Sequence, residues 1–174
     1  ADALAVYGVT PVIDAEALAT LGAHAERMEK EARLIGRTLL GPNTEHGSFF
    51  APRAYELKSL NQLNREVFGP VLHVIPFDAG QLDSVIDAIN ATGYGLTCGI
   101  HSRIDETVQK IAKGVRAGNC YVNRNQIGAV VGVQPFGGEG LSGTGPKAGG
   151  PHYLTRFVNE RTLTINTTAA GGNA

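Results

Sequence analysis

The chain has no tryptophan, one methionine and two cysteines among its 174 residues, and no excess of charge of either sign. Two cysteines are too few for a disulfide scaffold. The 15 Lys and Arg residues are balanced by 16 Asp and Glu residues, which argues against nucleic-acid binding through a basic surface. No apolar run approaches the ~18 residues of a membrane span, and the first residues lack the basic start of a signal peptide.

Glycine, in contrast, is abundant and unevenly placed. The chain has 23 glycines, and nine of them fall among the 28 residues from Arg124 to Pro151. Before this segment, apolar residues recur at helical spacing from Asp14 to Ile35, with Asp14 as the N-cap. Near the end, Arg161 to Asn166 alternates with a period of two, which predicts a half-buried strand.

The middle of the chain alternates between strand and helix patterns. Apolar runs predict a buried strand at Val71 to Phe77 and further strands at Leu96 to His101 and Asn119 to Asn123. Helical faces at 82–89 and 104–115 separate them. This order predicts an α/β fold with a parallel sheet and flanking helices. Because ligands bind beyond the carboxyl ends of such strands, the glycine-rich segment is the best candidate for a functional loop.

Two glycine motifs in that segment are better explained as structural turns. Gly138 to Gly143 reads G-x-G-x-x-G, but no apolar strand precedes it and no helix pattern opens within it. Gly140 to Lys147 resembles a phosphate-binding loop, but Pro146 interrupts it and Ala148 stands where a hydroxyl is needed. We therefore expect tight turns rather than a phosphate cradle.

The cysteines and histidines give no catalytic or metal pattern. Cys98 and Cys120 both lie within apolar strand segments, where a thiol is expected to be buried and inert rather than nucleophilic. The five histidines are scattered, and no pair has the spacing of metal ligands. We therefore expect no metal site and no catalytic residue among them.

Glu66 and Phe68 form a more informative pair. They stand two apart in an extended segment before the first predicted strand of the middle region, so both side chains project to one side. A carboxylate can accept hydrogen bonds from ribose hydroxyls, and an aromatic ring can pack on a planar heterocycle. The alternative interpretation is a surface glutamate beside a core phenylalanine.

Three motifs together resemble the C-terminal part of the NAD(P)-dependent aldehyde dehydrogenase superfamily. Residues 66–70 read Glu-Val-Phe-Gly-Pro, residues 93–96 read Gly-Tyr-Gly-Leu, and residues 134–143 read Gln-Pro-Phe-Gly-Gly-Glu-Gly-Leu-Ser-Gly. Residues 121–125, 128–135 and 142–151 are most similar to the glutamate-semialdehyde (pyrroline-5-carboxylate) dehydrogenase branch. Within it, they resemble the dehydrogenase domain of the bifunctional bacterial proline utilization A proteins. The resemblance runs from about Val9 to Asn166.

The resemblance implies oxidation of L-glutamate γ-semialdehyde to glutamate in proline catabolism. In the family, a cysteine attacks the aldehyde carbon, hydride passes to NAD, and water hydrolyses the thioester. Neither Cys98 nor Cys120 matches the nucleophile motif, so we expect that cysteine and the Rossmann segment in another part of the same polypeptide. This chain alone should be inactive. The parent would also carry FAD if it is fused to a proline dehydrogenase.

The resemblance also assigns residues. Glu66 matches the ribose-binding carboxylate, and Phe68 matches the ring beside the nicotinamide. Gly128 and Ala129 match an anchor loop whose backbone N–H groups hold the substrate α-carboxylate. Phe136 matches an aromatic wall against the aliphatic part of the substrate.

The implied organisation is a catalytic-domain part over residues 1–158 and an oligomerisation arm and tail over residues 159–174. The arm implies a homo-oligomer, and the family implies a cytoplasmic enzyme. Two alternatives remain open. One is a standalone glutamate-semialdehyde dehydrogenase, and the other is a non-catalytic module of the same fold that serves assembly.

Overall fold

The computed structural model describes residues 11–42 and 44–168, which contain both helices and short strands. They fall into two compact units that divide between Val85 and Ile86. The predicted α/β class is confirmed. Within the described residues, no helix is long and apolar enough to cross a bilayer. Residues 1–10 and 43 of the predicted region 1–158, and residues 169–174 of the predicted region 159–174, lie outside this description.

The first unit begins with helix α1, Ala15–Glu31. The predicted N-cap is confirmed, because the carboxylate of Asp14 accepts a hydrogen bond of 2.7 Å from the N–H of Ala17. The predicted helix end at Ile35 is wrong. Strand β1, Arg33–Arg37, replaces the last residues because its backbone pairs with a neighbouring strand, and this pairing overrides local helical spacing.

Strands β1, β2 (Arg53–Glu56) and β3 (Val71–Val74) form one sheet in that order. β1 and β2 are antiparallel, and β2 and β3 are parallel. β2 is central although Pro52 precedes it, because the proline stands just outside the ladder and removes no donor from it. β3 is shorter than predicted and only half-buried, since Leu72 and Val74 are exposed.

The core of this unit lies between α1 and the sheet. Met28, Tyr55 and Leu57 form one fully buried cluster, and Leu21 packs with Ala25 and Phe50 in a second cluster. Each fully buried large side chain contributes roughly 1.5–3 kcal/mol of transfer free energy. This packing fixes α1 against β2, and it also fixes the segment that leads into β3.

In the second unit, strands β5 (Thr97–Ile100) and β6 (Asn119–Val122) pair in parallel. Helix α3 (Asp105–Gly114) connects them along the chain. Both strand predictions are confirmed with slightly shorter bounds. The expectation that β3 joins these strands in one sheet is not met in the described pairing, since β3 pairs with β2. Helix α2 (Leu82–Ala91) contains the division between the units.

Beyond β6, the glycine-rich segment turns back on the second unit. The short strand β7 (Glu139–Gly140) pairs antiparallel with β4 (Tyr94–Gly95). Gly143 lies against the backbone of Gly138, so the G-x-G-x-x-G stretch is a tight turn, as predicted. No helix opens within it.

A 3₁₀-helix at Tyr153–Phe157 follows. The strand expected at Arg161 to Asn166 is wrong for this chain. These residues belong to no strand and are exposed, including Leu163 and Ile165. A two-residue apolar alternation predicts a face to bury, but among the described residues no strand pairs with it.

Candidate functional site

The first candidate region is the extended segment from Leu63 to Pro70. Val67 packs on the cluster of Leu21, whereas the neighbouring Glu66 and Phe68 are exposed on the surface of the first unit. Phe68 is 88% exposed, so the alternative that it is a core residue is wrong for this chain. The alternation leaves a carboxylate and an apolar ring facing away from the core.

Gly69 explains how this segment crosses α1 so closely. A Cβ atom at Gly69 would lie 2.7 Å from both terminal methyl carbons of Leu21, which is buried. Any side chain would have to displace a core residue. The close approach places Glu66 and Phe68 immediately before β3.

The second candidate region starts where β6 ends. Asn123 adopts a left-handed conformation, with φ of 54°. Its side-chain amide donates to the carbonyl of Ser102 at 2.9 Å and accepts from the N–H of Ser102 at 3.0 Å. These bonds hold the strained corner at which the chain leaves the sheet.

Arg124, the next residue, reaches across the loop that carries the predicted anchor residues. Its Nη2 donates to the carbonyl of Gly128 at 3.1 Å, and its Nη1 donates to Oε1 of Gln134 at 3.1 Å. Its Nε donates to the carbonyl of Asn125 at 3.0 Å. The guanidinium also stacks 4.3 Å from the ring centre of Tyr121.

Gln134 holds the far side of the same loop. Its Oε1 accepts from the N–H of Val130 at 2.9 Å as well as from Arg124. The N–H groups of Gly128 and Ala129 make no hydrogen bond to any described residue. Two neighbouring donors are therefore available in the half-buried part of the loop.

The two loop glycines serve different purposes. A Cβ atom at Gly128 would meet no described atom within 4 Å, and the backbone there is not left-handed. Gly132 has φ of 79°, within the reverse turn that bonds the N–H of Val133 to the carbonyl of Val130. Gly132 is therefore the residue that the turn requires.

The backbone around Phe136 is held by hydrogen bonds from two places, Asn119 on β6 and Ala148 further along the chain. The side chain of Asn119, which is buried, donates to the carbonyl of Pro135 at 3.0 Å and accepts from the N–H of Gly137 at 3.2 Å. Phe136 and Ala148 exchange two backbone hydrogen bonds of 3.0 and 2.9 Å. Four hydrogen bonds thus surround one aromatic residue.

The cysteines lie side by side on the paired strands β5 and β6. Burial, with a smaller contribution from neighbouring Cys120, raises the pKa of the Cys98 thiol to about 11. A thiol with that pKa is almost wholly protonated at neutral pH, so it is a poor nucleophile. Cys120 is exposed, which corrects the expectation that both are buried.

One pair of residues was missed by the sequence analysis. Nε2 of His24 lies 2.9 Å from Nε2 of His73, and the two rings meet edge to face. Burial and then the neighbouring His73 lower the pKa of His24, and burial lowers the pKa of His73. Both residues fall on inward positions. His24 lies one turn after Leu21 on α1, and His73 lies two residues after Val71 on β3. This shared inward placement is the signal that could have paired them.

The structure thus brings Gly128, Ala129 and Phe136 together in one loop of the second unit. Glu66 and Phe68 lie together on the first unit. Arg124, Gln134 and Asn119 join the loop as residues that spacing alone did not identify. No group of three His, Cys, Asp or Glu side chains among the described residues could hold a metal ion.

Comparison with known proteins shows which family and which solved structures the chain is similar to. Residues 4–163 match the aldehyde dehydrogenase family. The bifunctional protein PutA of Rhizobium meliloti is 55% identical over 150 residues. A crystal structure of a mutant proline utilization A from Bradyrhizobium japonicum matches 91% of the chain with a TM-score of 0.82 and 60% identity.

A structure of 1-pyrroline-5-carboxylate dehydrogenase from Thermus with bound NAD matches 84% of the chain, with a TM-score of 0.72 and 36% identity. In every case, the chain spans a minor part of its relative. The segment that matches the Rhizobium protein is 86% of this chain but only 12% of that protein. The chain spans 16% of the Bradyrhizobium chain and 28% of the Thermus chain.

Proposed function

The chain belongs to the aldehyde dehydrogenase family, and from this premise we propose that it is the C-terminal part of an L-glutamate γ-semialdehyde dehydrogenase. The parent polypeptide oxidises the semialdehyde to glutamate with NAD as part of proline catabolism. Its greater identity to the bifunctional proteins than to the Thermus enzyme favours a polypeptide that also carries a proline dehydrogenase and its FAD.

The observation that carries the proposal is the pair of unused N–H groups at Gly128 and Ala129. Consecutive backbone donors form a site for an anion, and a carboxylate is the anion that distinguishes glutamate semialdehyde from a plain aldehyde. Phe136, held a few residues further along, supplies an apolar surface for the methylene groups of the substrate. Both features lie in one loop whose backbone is fixed by internal hydrogen bonds.

The cofactor candidates fit a dinucleotide on the other unit. Glu66 offers an exposed carboxylate for ribose hydroxyls, and the exposed ring of Phe68 offers an apolar face for a planar heterocycle. NAD, where bound, would accept the hydride removed from the substrate. In this proposal, Glu66 orients the ribose and Phe68 limits the positions open to the nicotinamide.

We place the nucleophile in another part of the polypeptide, because neither thiol of this chain is suited to the reaction. Cys98 is held protonated by burial, and Cys120 lies beside it on the parallel strand pair. Neither lies in the glycine-rich loop that holds the candidate anion site. The rest of the same polypeptide is therefore the essential partner of this chain.

Residues 159–174 are proposed as the arm that joins subunits of a homo-oligomer in the cytoplasm. The exposed alternation of Leu163 and Ile165 supports this role, because an apolar alternation that no strand of the described residues covers is suited to adding to the edge of another sheet. The alternative of a non-catalytic assembly module is less favoured, since an anion site with two free donors would have no purpose there.

The test compares the full-length polypeptide with the 174-residue chain. We expect the full-length protein to reduce NAD in the presence of pyrroline-5-carboxylate, which is in equilibrium with the semialdehyde, and the chain alone to show no turnover above background. Turnover by the chain alone that Cys98→Ala or Cys120→Ala abolishes would show that the nucleophile lies within it. Absence of turnover in the full-length protein would contradict the proposed reaction.

A further inference from the structure

Arg124 directs all three of its hydrogen bonds at the glycine-rich segment. Its three donors reach the carbonyls of Asn125 and Gly128 and the side chain of Gln134. No carboxylate of a described residue lies within 4 Å of its guanidinium. A half-buried positive charge is thus directed at the loop without a counter-ion.

The bond from Arg124 to Gly128 fixes the direction of a donor on the opposite side of the loop. The carbonyl of Gly128 and the N–H of Ala129 belong to one peptide plane, and in a trans peptide they point in opposite directions. Since the carbonyl points to Arg124, the N–H of Ala129 points away from it. No cis peptide bond occurs among the described residues.

The next peptide plane is fixed as well. The N–H of Val130 donates to Gln134, and Gln134 in turn accepts from Arg124. Ala129 therefore lies between two peptide planes that are both held by one connected pair of side chains. Its own N–H, like that of Gly128, makes no hydrogen bond to a described residue and is available to a ligand.

We propose that Arg124 is a positioning residue that selects for the carboxylate of the substrate, by holding the Gly128–Ala129 peptide with the Ala129 N–H directed into the anion site. The inference rests on the proposed function and deepens it. Arg124 acts through the loop backbone and does not touch the substrate. Its forked geometry is essential, because an ammonium group cannot span three separated acceptors.

The test uses the full-length protein with Arg124→Met, Arg124→Lys and the control Arg103→Met, which removes an exposed arginine of the same unit. Each variant is assayed with glutamate semialdehyde and with an unbranched aliphatic aldehyde of similar length, and its melting temperature is measured. We expect Arg124→Met to lower kcat/KM for the semialdehyde by about 10-fold or more, chiefly through KM, and to change the plain aldehyde by less than about threefold.

Arg124→Lys separates position from charge. We expect its loss on the semialdehyde to stay within about threefold of that of Arg124→Met, because the fork is lost although the charge is kept. Near-wild-type selectivity in the lysine variant would overturn the positioning role in favour of charge alone. Parallel losses on both aldehydes with a lower melting temperature would overturn it in favour of a structural role.

A variant that leaves Arg124 in place guards against failure to fold. Gln134→Met removes the acceptor of the Val130 N–H and of one Arg124 donor but keeps the Arg124 bond to the carbonyl of Gly128. It should therefore show the same selectivity loss at smaller size, and equal effects on both aldehydes would contradict the inference. Wild-type turnover of glutamate semialdehyde tests the proposed function separately. If the wild type oxidises it and the variants keep its selectivity, only the role of Arg124 fails.

Discussion

The two candidate regions are held in place by different forces. The segment with Glu66 and Phe68 is positioned by apolar packing, since Val67 joins the core and Gly69 lies against Leu21. The glycine-rich loop is positioned by hydrogen bonds from side chains to its backbone. The first presents exposed side chains, and the second presents unused backbone donors.

This difference separates what each region can do alone. Side chains on a packed segment can be replaced without disturbing the segment, so mutations there test the proposed cofactor contacts. Backbone donors persist in every substitution except proline, which also restricts the backbone, so the loop is best tested through the residues that shape it. In the full-length protein, variants of the two regions should therefore differ in what they change.

The largest effect is expected in the loop, for Gly128→Val. A β-branched side chain restricts the backbone whose N–H groups would hold the carboxylate, and an imperfectly paired buried anion costs about 1–3 kcal/mol. We therefore expect the catalytic efficiency on glutamate semialdehyde to fall by roughly 10- to 100-fold and that on an aliphatic aldehyde to fall much less.

Gly132→Val is the matched control. A Cβ atom at Gly128 meets open space, so Gly128→Val should keep its melting temperature, whereas Gly132 requires a left-handed backbone. The control should lose stability by about 1–2 kcal/mol and affect both substrates together. If the two variants behave alike, Gly128 merely shapes the turn and the anchor role is wrong.

A smaller effect is expected for Glu66→Gln on the packed segment. Loss of one charged hydrogen bond to a ribose, at the low end of its range of about 1.5–3 kcal/mol, predicts about tenfold weaker use of NAD. The aldehyde KM should change little, and stability should be unaffected because Glu66 is exposed. Glu45→Gln, also exposed, is the control. A change confined to the aldehyde KM would contradict the assigned role.

The smallest effect concerns the packing that supports this segment. The pKa values of His24 and His73 are lowered in the folded state, so below their ordinary value of 6.5 the unfolded chain binds more protons. The stability of α1 against β3 should therefore be full at neutral pH and fall as the pH drops through and below 6.5. Hydrogen exchange of α1 amides at pH 7, 6 and 5, corrected for intrinsic rates, measures it.

The double variant His24→Gln/His73→Gln should flatten that pH dependence, whereas replacement of the exposed His101 by Gln should not. The loop of the second unit should show none of it. An unchanged pH profile in the double variant would show that the histidine pair is not responsible.

Sequence patterns predicted the features that depend on neighbours in the chain. The cap at Asp14, the strands on either side of α3 and the position of the glycine-rich loop after β6 all follow from local spacing. The outward direction of Glu66 also follows from strand alternation around Val67.

The features that were missed depend on contacts between distant segments. The helix was predicted to continue to Ile35 because local periodicity carries no signal that residues 33–37 pair with β2. The contact of His24 with His73 joins residues 49 positions apart, and Asn119 reaches a loop 16 positions away. Arg124 could be found only once the loop had folded over it.

The four hydrogen bonds around Phe136 have a thermodynamic consequence. The backbone that carries the ring is fixed before any ligand arrives, so the ordering of that backbone is part of folding and not of association. A preorganised wall should give a substrate of matching length an affinity that depends weakly on loop motion. Loosening the backbone around Phe136, for example by substitution of Asn119, would move the entropy cost of ordering it into the binding step. Binding would then be slower although no contact to the ligand is removed.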